Sequence, residues 1–135
     1  METSIVKYLG GLRTEAVHLK SKDKIITDAP LDNHGKGMAF SPTDLLATSL
    51  ANCMLTVMGI KAGQEGMTGI EGTEAHVTKI MYADPRRVGE IHVKLVFPKS
   101  NYSDKEKKTY EHTALTCPVA KSLHPDLKQQ LIFEW

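Results

Sequence analysis

The pattern of apolar positions predicts one helix that is buried on every side. No charged residue occurs across Leu45–Ile60, where nearly every side chain is apolar or small. A helix without a polar face is buried all round, and a chain of 135 residues rarely supplies enough material to cover one. We therefore expect a second copy of the chain to supply the missing cover, so the pattern favours a homodimer.

The residues at both ends of this stretch predict where the helix begins and stops. Ser41 is suited to the N-cap, and Pro42 is suited to the first helical position. The helix is expected to run to about Ile60 or Ala62 and to end at Gly63.

Alternating apolar and polar residues predict strands on both sides of the helix. The predicted strands are Thr3–Leu9, Leu12–Lys20, Lys24–Thr27, Gly72–Tyr82, Val88–Phe97 and Leu131–Trp135. The pair Gly10-Gly11 predicts a hairpin between the first two strands. The stretch Asp28–Phe40 contains proline and two glycines and is predicted to be a long loop.

Two shorter helices are predicted before the last strand. Ser103 and Glu106 form a capping-box pattern that opens a helix to about Ala114. Cys117 and Pro118 open the second, which ends near the pair His124-Pro125. The order β-β-β-α-β-β-α-α-β predicts an α+β fold with largely antiparallel sheets, in a single domain over residues 1–135.

Charge and composition argue against several functional classes. The chain carries 17 basic and 16 acidic residues, for a net charge of +1, so we expect no nucleic-acid partner. No stretch is expected to approach the roughly 18 apolar residues of a membrane span, and the N-terminus does not resemble a signal peptide. A cytoplasmic location is therefore expected.

The two cysteines, Cys53 and Cys117, are too far apart in sequence to form a CxxC motif. With only two cysteines and no HExxH pattern among six histidines, we predict no metal site. A structural disulfide is not expected in a reducing compartment. The two residues are then either buried bystanders or a reactive pair.

The local sequence suggests different chemistry for each thiol. Cys117 lies at a predicted helix start, where unpaired N–H groups favour a thiolate, and Lys121 could add positive charge one turn later. The alternative is a small buried residue. Cys53 lies mid-helix, where apolar surroundings make a thiol inert unless a cation reaches it. Arg13, beside Gly10-Gly11, is the best candidate cation, although a solvated arginine remains the alternative.

Two segments resemble the OsmC/Ohr family, the osmotically induced and organic hydroperoxide resistance proteins. Ser41–Cys53 resembles the family's proline-opened helix that carries a cysteine, and Thr116–Leu123 resembles its CPV(S/A)K segment. The resemblance covers most of the chain. It implies an OsmC-like fold with a central buried helix and an intertwined homodimer whose active sites lie at the subunit interface.

The resemblance also implies roles for individual residues. Cys53 would be the peroxidatic thiol, Cys117 the resolving thiol, and Arg13 the residue that activates the Cys53 thiolate. No metal, flavin or haem cofactor is implied. In the Ohr branch a glutamate follows the helix-opening proline and partners the arginine. Here Thr43 occupies that position and the acid is Asp44, about 100° further round the helix, so the chain resembles a divergent OsmC-like branch.

The leading hypothesis is a thiol-dependent peroxidase that reduces organic hydroperoxides. It would act through a Cys53 sulfenate and a Cys53–Cys117 disulfide, which a small dithiol or cellular thiol would reduce. One alternative is a non-catalytic protein that binds a small hydrophobic ligand. A second alternative is a redox sensor whose oxidised form binds a partner.

Overall fold

The structure, a computed structural model, describes all residues from Met1 to Trp135 and confirms the α+β class. The chain divides into two compact units, Met1–Leu46 and Ala47–Trp135. The strands are β1 (Ser4–Gly10), β2 (Arg13–His18), β3 (Lys24–Asp28), β4 (Glu74–Tyr82), β5 (Arg87–Val96) and β6 (Lys128–Glu134). The α-helices are α1 (Pro42–Glu65), α2 (Asp104–Leu115) and α3 (Pro118–Ser122), and Leu31–Asn33 forms a 3₁₀ turn.

The first unit is built on an antiparallel sheet in the order β1-β2-β3. The predicted hairpin is present, and Gly10 and Gly11 both adopt positive φ angles, of 84° and 61°, that glycine tolerates without steric cost. In the β2–β3 ladder, Arg13 lies directly opposite Asp28. This register brings a basic and an acidic residue together at the ends of neighbouring strands.

The second unit has one hydrophobic core between α1 and the sheet β4-β5-β6. The buried residues of α1 are Ala47, Leu50, Ala51, Met54 and Met58, at the three- and four-residue spacing of one helix face. Alternate residues of β5, namely Ile91, Val93 and Leu95, belong to the same core. One ladder departs from the predicted antiparallel arrangement, since β5 and β6 are parallel. The crossover through α2 and α3 allows that direction.

Helix α1 is longer than predicted and is not buried all round within one chain. Gly63 does not end it, because glycine costs only about 1 kcal/mol relative to alanine inside a helix. The helix instead stops before Gly66, whose φ of 62° suits a helix terminus. Thr56 and Ile60 are among its exposed residues. One chain therefore leaves part of the helix uncovered, and its burial on every side, which was expected to need a second copy, stays a prediction.

The expectation that no stretch is long and apolar enough to span a membrane is not met by α1. Pro42–Glu65 is long and apolar enough to cross a membrane by length and composition, with a mean hydropathy of 1.4 over 18 residues. Core helices of soluble proteins meet the same criterion. Here one face of the helix is already packed into the core of the second unit.

Candidate active site

Cys53 lies in the middle of α1, and its side chain is half-buried. Leu50 and Val57 flank it one turn before and one turn after, since residues three or four apart share a helix face. Leu50 is fully buried, and Val57 is packed against the same core. Cys53 therefore combines an apolar setting with partial access from solvent.

Cys117 is the N-cap residue of α3, as the sequence predicted, but it is only 1% exposed. Its Sγ accepts a hydrogen bond from the backbone N–H of Ala120 at 3.4 Å. Burial raises the pKa of the Cys117 thiol, and the N–H groups of Ala120 and Val119 only partly oppose that rise. The prediction that the helix start favours a thiolate here is wrong, because desolvation outweighs the local N–H groups. Lys121 is exposed to solvent.

The structure brings the two cysteines together. Both are free thiols, and their side chains lie near each other. The contact with Cys53 is a further cause of the raised pKa of Cys117. The result is an asymmetric pair, in which half-buried Cys53 lies beside buried Cys117. No group of three or more His, Cys, Asp and Glu side chains is arranged to hold a metal ion.

Arg13, the third residue implicated by the sequence, forms a bidentate ion pair in the first unit. Its Nε donates to Oδ1 of Asp28 at 2.7 Å, and its Nη2 donates to Oδ2 at 2.8 Å. The Arg13 side chain is 38% exposed, whereas that of Asp28 is 2% exposed. The hydrogen bond from Arg13 is the largest cause that holds the pKa of Asp28 below its usual range.

Asp44, the acid near the start of α1, takes part in capping that helix. The side chain of Asp44 accepts a hydrogen bond from the backbone N–H of Ser41 at 3.0 Å. The Ser41 hydroxyl in turn accepts from the backbone N–H of Asp44 at 3.0 Å. This reciprocal pair is a capping box, with aspartate in the position where glutamate is more usual. The structure thus supports a role for Asp44 in starting the helix.

Asp28 is the buried partner of Arg13, and sequence reasoning missed it. The sequence placed it at the start of the loop, although it ends β3. A signal was present, since a hairpin-connected strand pair with Arg13 at one end needs an acidic residue at the opposing position for a cross-strand ion pair. That signal could be used only if the register of β2 and β3 were known, because a shift of one residue would place a different residue opposite Arg13.

Comparison with known proteins identifies the family. The sequence model of the family described as OsmC-like protein matches residues 34–131, which is most of the chain. The chain belongs to this family. The matched range contains both cysteines and begins after Arg13 and Asp28. No match was found among curated proteins.

Solved structures of OsmC-like proteins support the same assignment. A protein from Psychrobacter arcticus 273-4, provisionally described as an osmotic stress induced and detoxification response protein, is 60% identical. The alignment covers 99% of this chain and 96% of that one, with a TM-score of 0.94.

Two more distant structures show the same fold. An organic hydroperoxide resistance protein OsmC from Legionella pneumophila is 20% identical, with a TM-score of 0.73 and coverage of 100% and 98%. A Vibrio cholerae protein, provisionally described as an organic hydroperoxide resistance protein and crystallised with captopril in one active site, is 14% identical. Its TM-score is 0.70, with coverage of 98% and 92%.

Proposed function

We propose that this OsmC-like protein is a thiol peroxidase that reduces organic hydroperoxides. The observation that carries the proposal is the pair of neighbouring free thiols, half-buried Cys53 and buried Cys117. A peroxide from solvent can reach the first thiol, and the second is close enough to react with the product. The description of the Legionella pneumophila relative as a hydroperoxide resistance protein points the same way.

The reaction begins at Cys53. Its thiolate sulfur attacks the distal oxygen of the hydroperoxide, the O–O bond breaks, and the alkoxide leaves and takes a proton to become an alcohol. Cys53 is oxidised to the sulfenic acid. Cys117 then attacks the Cys53 sulfur, so that an S–S bond forms, the S–O bond breaks, and water leaves. An external dithiol reduces the disulfide and is itself oxidised to a disulfide, which restores both thiols.

The surroundings of Cys53 favour apolar peroxides. Leu50 and Met54 are fully buried beside it, and Val57 is partly buried. An alkyl chain would gain about 0.8 kcal/mol for each CH₂ group that it buries against such side chains. Hydrogen peroxide has no alkyl group and would gain nothing from the same contacts, so we expect organic hydroperoxides to be the better substrates.

Arg13 is proposed to stabilise the Cys53 thiolate. A thiol among apolar side chains needs a compensating cation to react as a thiolate. Arginine suits this role because it stays charged when partly desolvated and presents several donors in a planar fork. The ion pair with Asp28 engages Nε and Nη2 and leaves other N–H groups of the guanidinium for an anion.

The proposed functional form is a cytoplasmic homodimer. Strand β1 exposes apolar side chains on both of its faces, with Val6 and Tyr8 each 62% exposed and Ile5 54% exposed. Helix α1 likewise exposes Ile60. Exposed large apolar side chains on neighbouring positions of one strand are typical of a protein–protein interface, and a second copy of the chain is the partner that the uncharged helix suggested.

Mass spectrometry after treatment with one equivalent of an organic hydroperoxide tests the proposal. We expect a Cys53–Cys117 disulfide in the wild type and, in Cys117→Ser, a sulfenic acid at Cys53 that dimedone traps. Treatment with hydrogen peroxide at the same concentration is expected to oxidise Cys53 more slowly. If neither a disulfide nor a sulfenic acid forms, the peroxidase assignment is wrong and binding of a small hydrophobic ligand becomes the better hypothesis.

A further inference from the structure

Gln129 is a polar residue on the core-facing side of the sheet β4-β5-β6. It is half-buried and precedes Leu131 and Phe133, which pack against the hydrophobic core from the same face of β6. An apolar residue would be usual at this position, since burial of a polar amide is costly unless the amide is hydrogen-bonded. Gln129 meets that condition, because its Nε2 donates to the backbone carbonyl of Ala120 at 3.1 Å.

We propose that Gln129 is a positioning residue for the disulfide-forming step, which holds helix α3 so that the Cys117 sulfur stays beside Cys53. This inference rests on the proposed peroxidase function. In that step Cys117 attacks the sulfenic acid of Cys53, the S–S bond forms, the S–O bond breaks, and the thiol proton leaves with the oxygen as water. Gln129 touches neither sulfur in this account and acts through the backbone of Ala120.

Helix α3 needs such support because it is very short. Its five residues, Pro118–Ser122, form little more than one turn, and isolated helices of this length are not stable in water. The last carbonyls of a helix also lack partners within the helix itself. The Gln129 amide supplies a partner for the Ala120 carbonyl, and it thereby ties α3 to the start of β6, nine residues further along the chain.

Ala120 connects this tie to the thiol. Its carbonyl accepts from Gln129, while its own N–H donates to the Sγ of Cys117 at 3.4 Å. The carbonyl of Cys117 accepts from the N–H of Lys121 at 3.1 Å, which closes the helical turn around Ala120. A displacement of Ala120 would therefore also displace the donor that binds the Cys117 sulfur.

Two effects of the tie would change the rate of disulfide formation in opposite directions. A thiol held beside its target reacts faster, because a misplacement of about 1 Å can slow a reaction by about 100-fold. A helix that is held firmly also resists any movement that the S–S bond requires, since that bond needs Cα atoms within about 7 Å of each other. The positioning hypothesis states that the first effect is the larger, so that loss of the hydrogen bond slows the step.

The test compares Gln129→Met with Gln130→Met and follows the two oxidation steps separately. Methionine keeps the length of the side chain and removes the hydrogen-bond donor. Gln130 is the matched control, because it is the next residue of β6 and its exposed side chain lies on the other face of the sheet. Each protein is mixed with one equivalent of cumene hydroperoxide and quenched with acid at successive times. Mass spectrometry then measures the Cys53 sulfenic acid and the Cys53–Cys117 disulfide.

We expect Gln129→Met to form the sulfenic acid at the wild-type rate and the disulfide about tenfold more slowly, whereas Gln130→Met should match the wild type in both steps. Slowing of both steps by the same factor would show that Gln129 serves only the stability of the fold. An unchanged or faster second step would show that it does not position Cys117. A wild type that forms neither sulfenic acid nor disulfide would refute the proposed function itself.

A measurement on the reduced wild type keeps the inference testable if Gln129→Met does not fold. The NMR order parameter of the Gln129 side-chain amide reports how firmly that amide is held. We expect a value near that of rigid backbone, about 0.85. A value below about 0.6 would mean that the amide is mobile and cannot hold α3 in place, which would overturn the proposal.

Discussion

At the scale of single residues, the different burial of the two cysteines supports the proposed order in which they would react. Cys53 is reachable from solvent and Cys117 is 1% exposed. We predict that Cys53→Ser abolishes peroxide consumption, while Cys117→Ser completes one turnover and stops at the sulfenic acid. Peroxide consumption and intact-protein mass spectrometry measure both results. The reverse outcome would mean that Cys117 is the peroxidatic thiol.

Asp28 predicts how stability depends on pH. Its folded pKa lies below the ordinary value of about 3.9, chiefly because Arg13 donates hydrogen bonds to it. At pH values near the folded and unfolded pKa of Asp28, the unfolded chain therefore binds more protons than the folded chain. The stabilisation is complete above about pH 5 and is lost as the pH falls through the folded pKa. We predict that Asp28→Asn loses less stability than the wild type between about pH 5 and pH 3.

Urea unfolding at several pH values measures this difference. Asp126→Asn is the control, since the Asp126 side chain is 89% exposed and should leave the pH dependence unchanged. A wild type and an Asp28→Asn variant with parallel pH profiles would contradict the prediction.

At the scale of elements, helix α2 depends on its capping box and in turn holds the segment after α1. The Ser103 hydroxyl accepts from the backbone N–H of Glu106, and the Glu106 carboxylate accepts from the backbone N–H groups of Ser103 and Thr68. We predict that Ser103→Ala lowers the free energy of unfolding by about 1 kcal/mol. The matched control is Ser100→Ala, an exposed serine outside any helix, which should change it by less than about 0.5 kcal/mol. Equal effects in urea unfolding would refute the capping argument.

At the scale of the whole molecule, the apolar surface of β1 predicts a dimer. We expect the wild type to sediment at twice the monomer mass at micromolar concentration, with more than about 2,000 Å² buried in total. Val6→Lys should shift the protein toward monomer, because it would bury an unpaired charge in the interface. Lys22→Glu, in the exposed turn between β2 and β3, is the control. A folded wild-type monomer would refute the prediction.

The sequence by itself determined the features that depend on one helical turn or one hairpin. The Ser41 and Ser103 caps, the Gly10-Gly11 turn and the position of Cys117 at a helix start were all predicted correctly. Each depends on hydrogen bonds or backbone preferences among residues at most four apart. The family motifs around both cysteines lie within similarly short segments, which is why they could be recognised without a structure.

Only the tertiary structure decided the chemistry of the site. The contact of Cys53 with Cys117 joins residues that are distant in sequence, and Arg13 meets Asp28 through the register of two strands. The local argument gave Cys117 a favoured thiolate, yet burial in the folded chain raises its pKa instead. Desolvation and charge pairing depend on everything packed around a group, and sequence spacing does not contain that information.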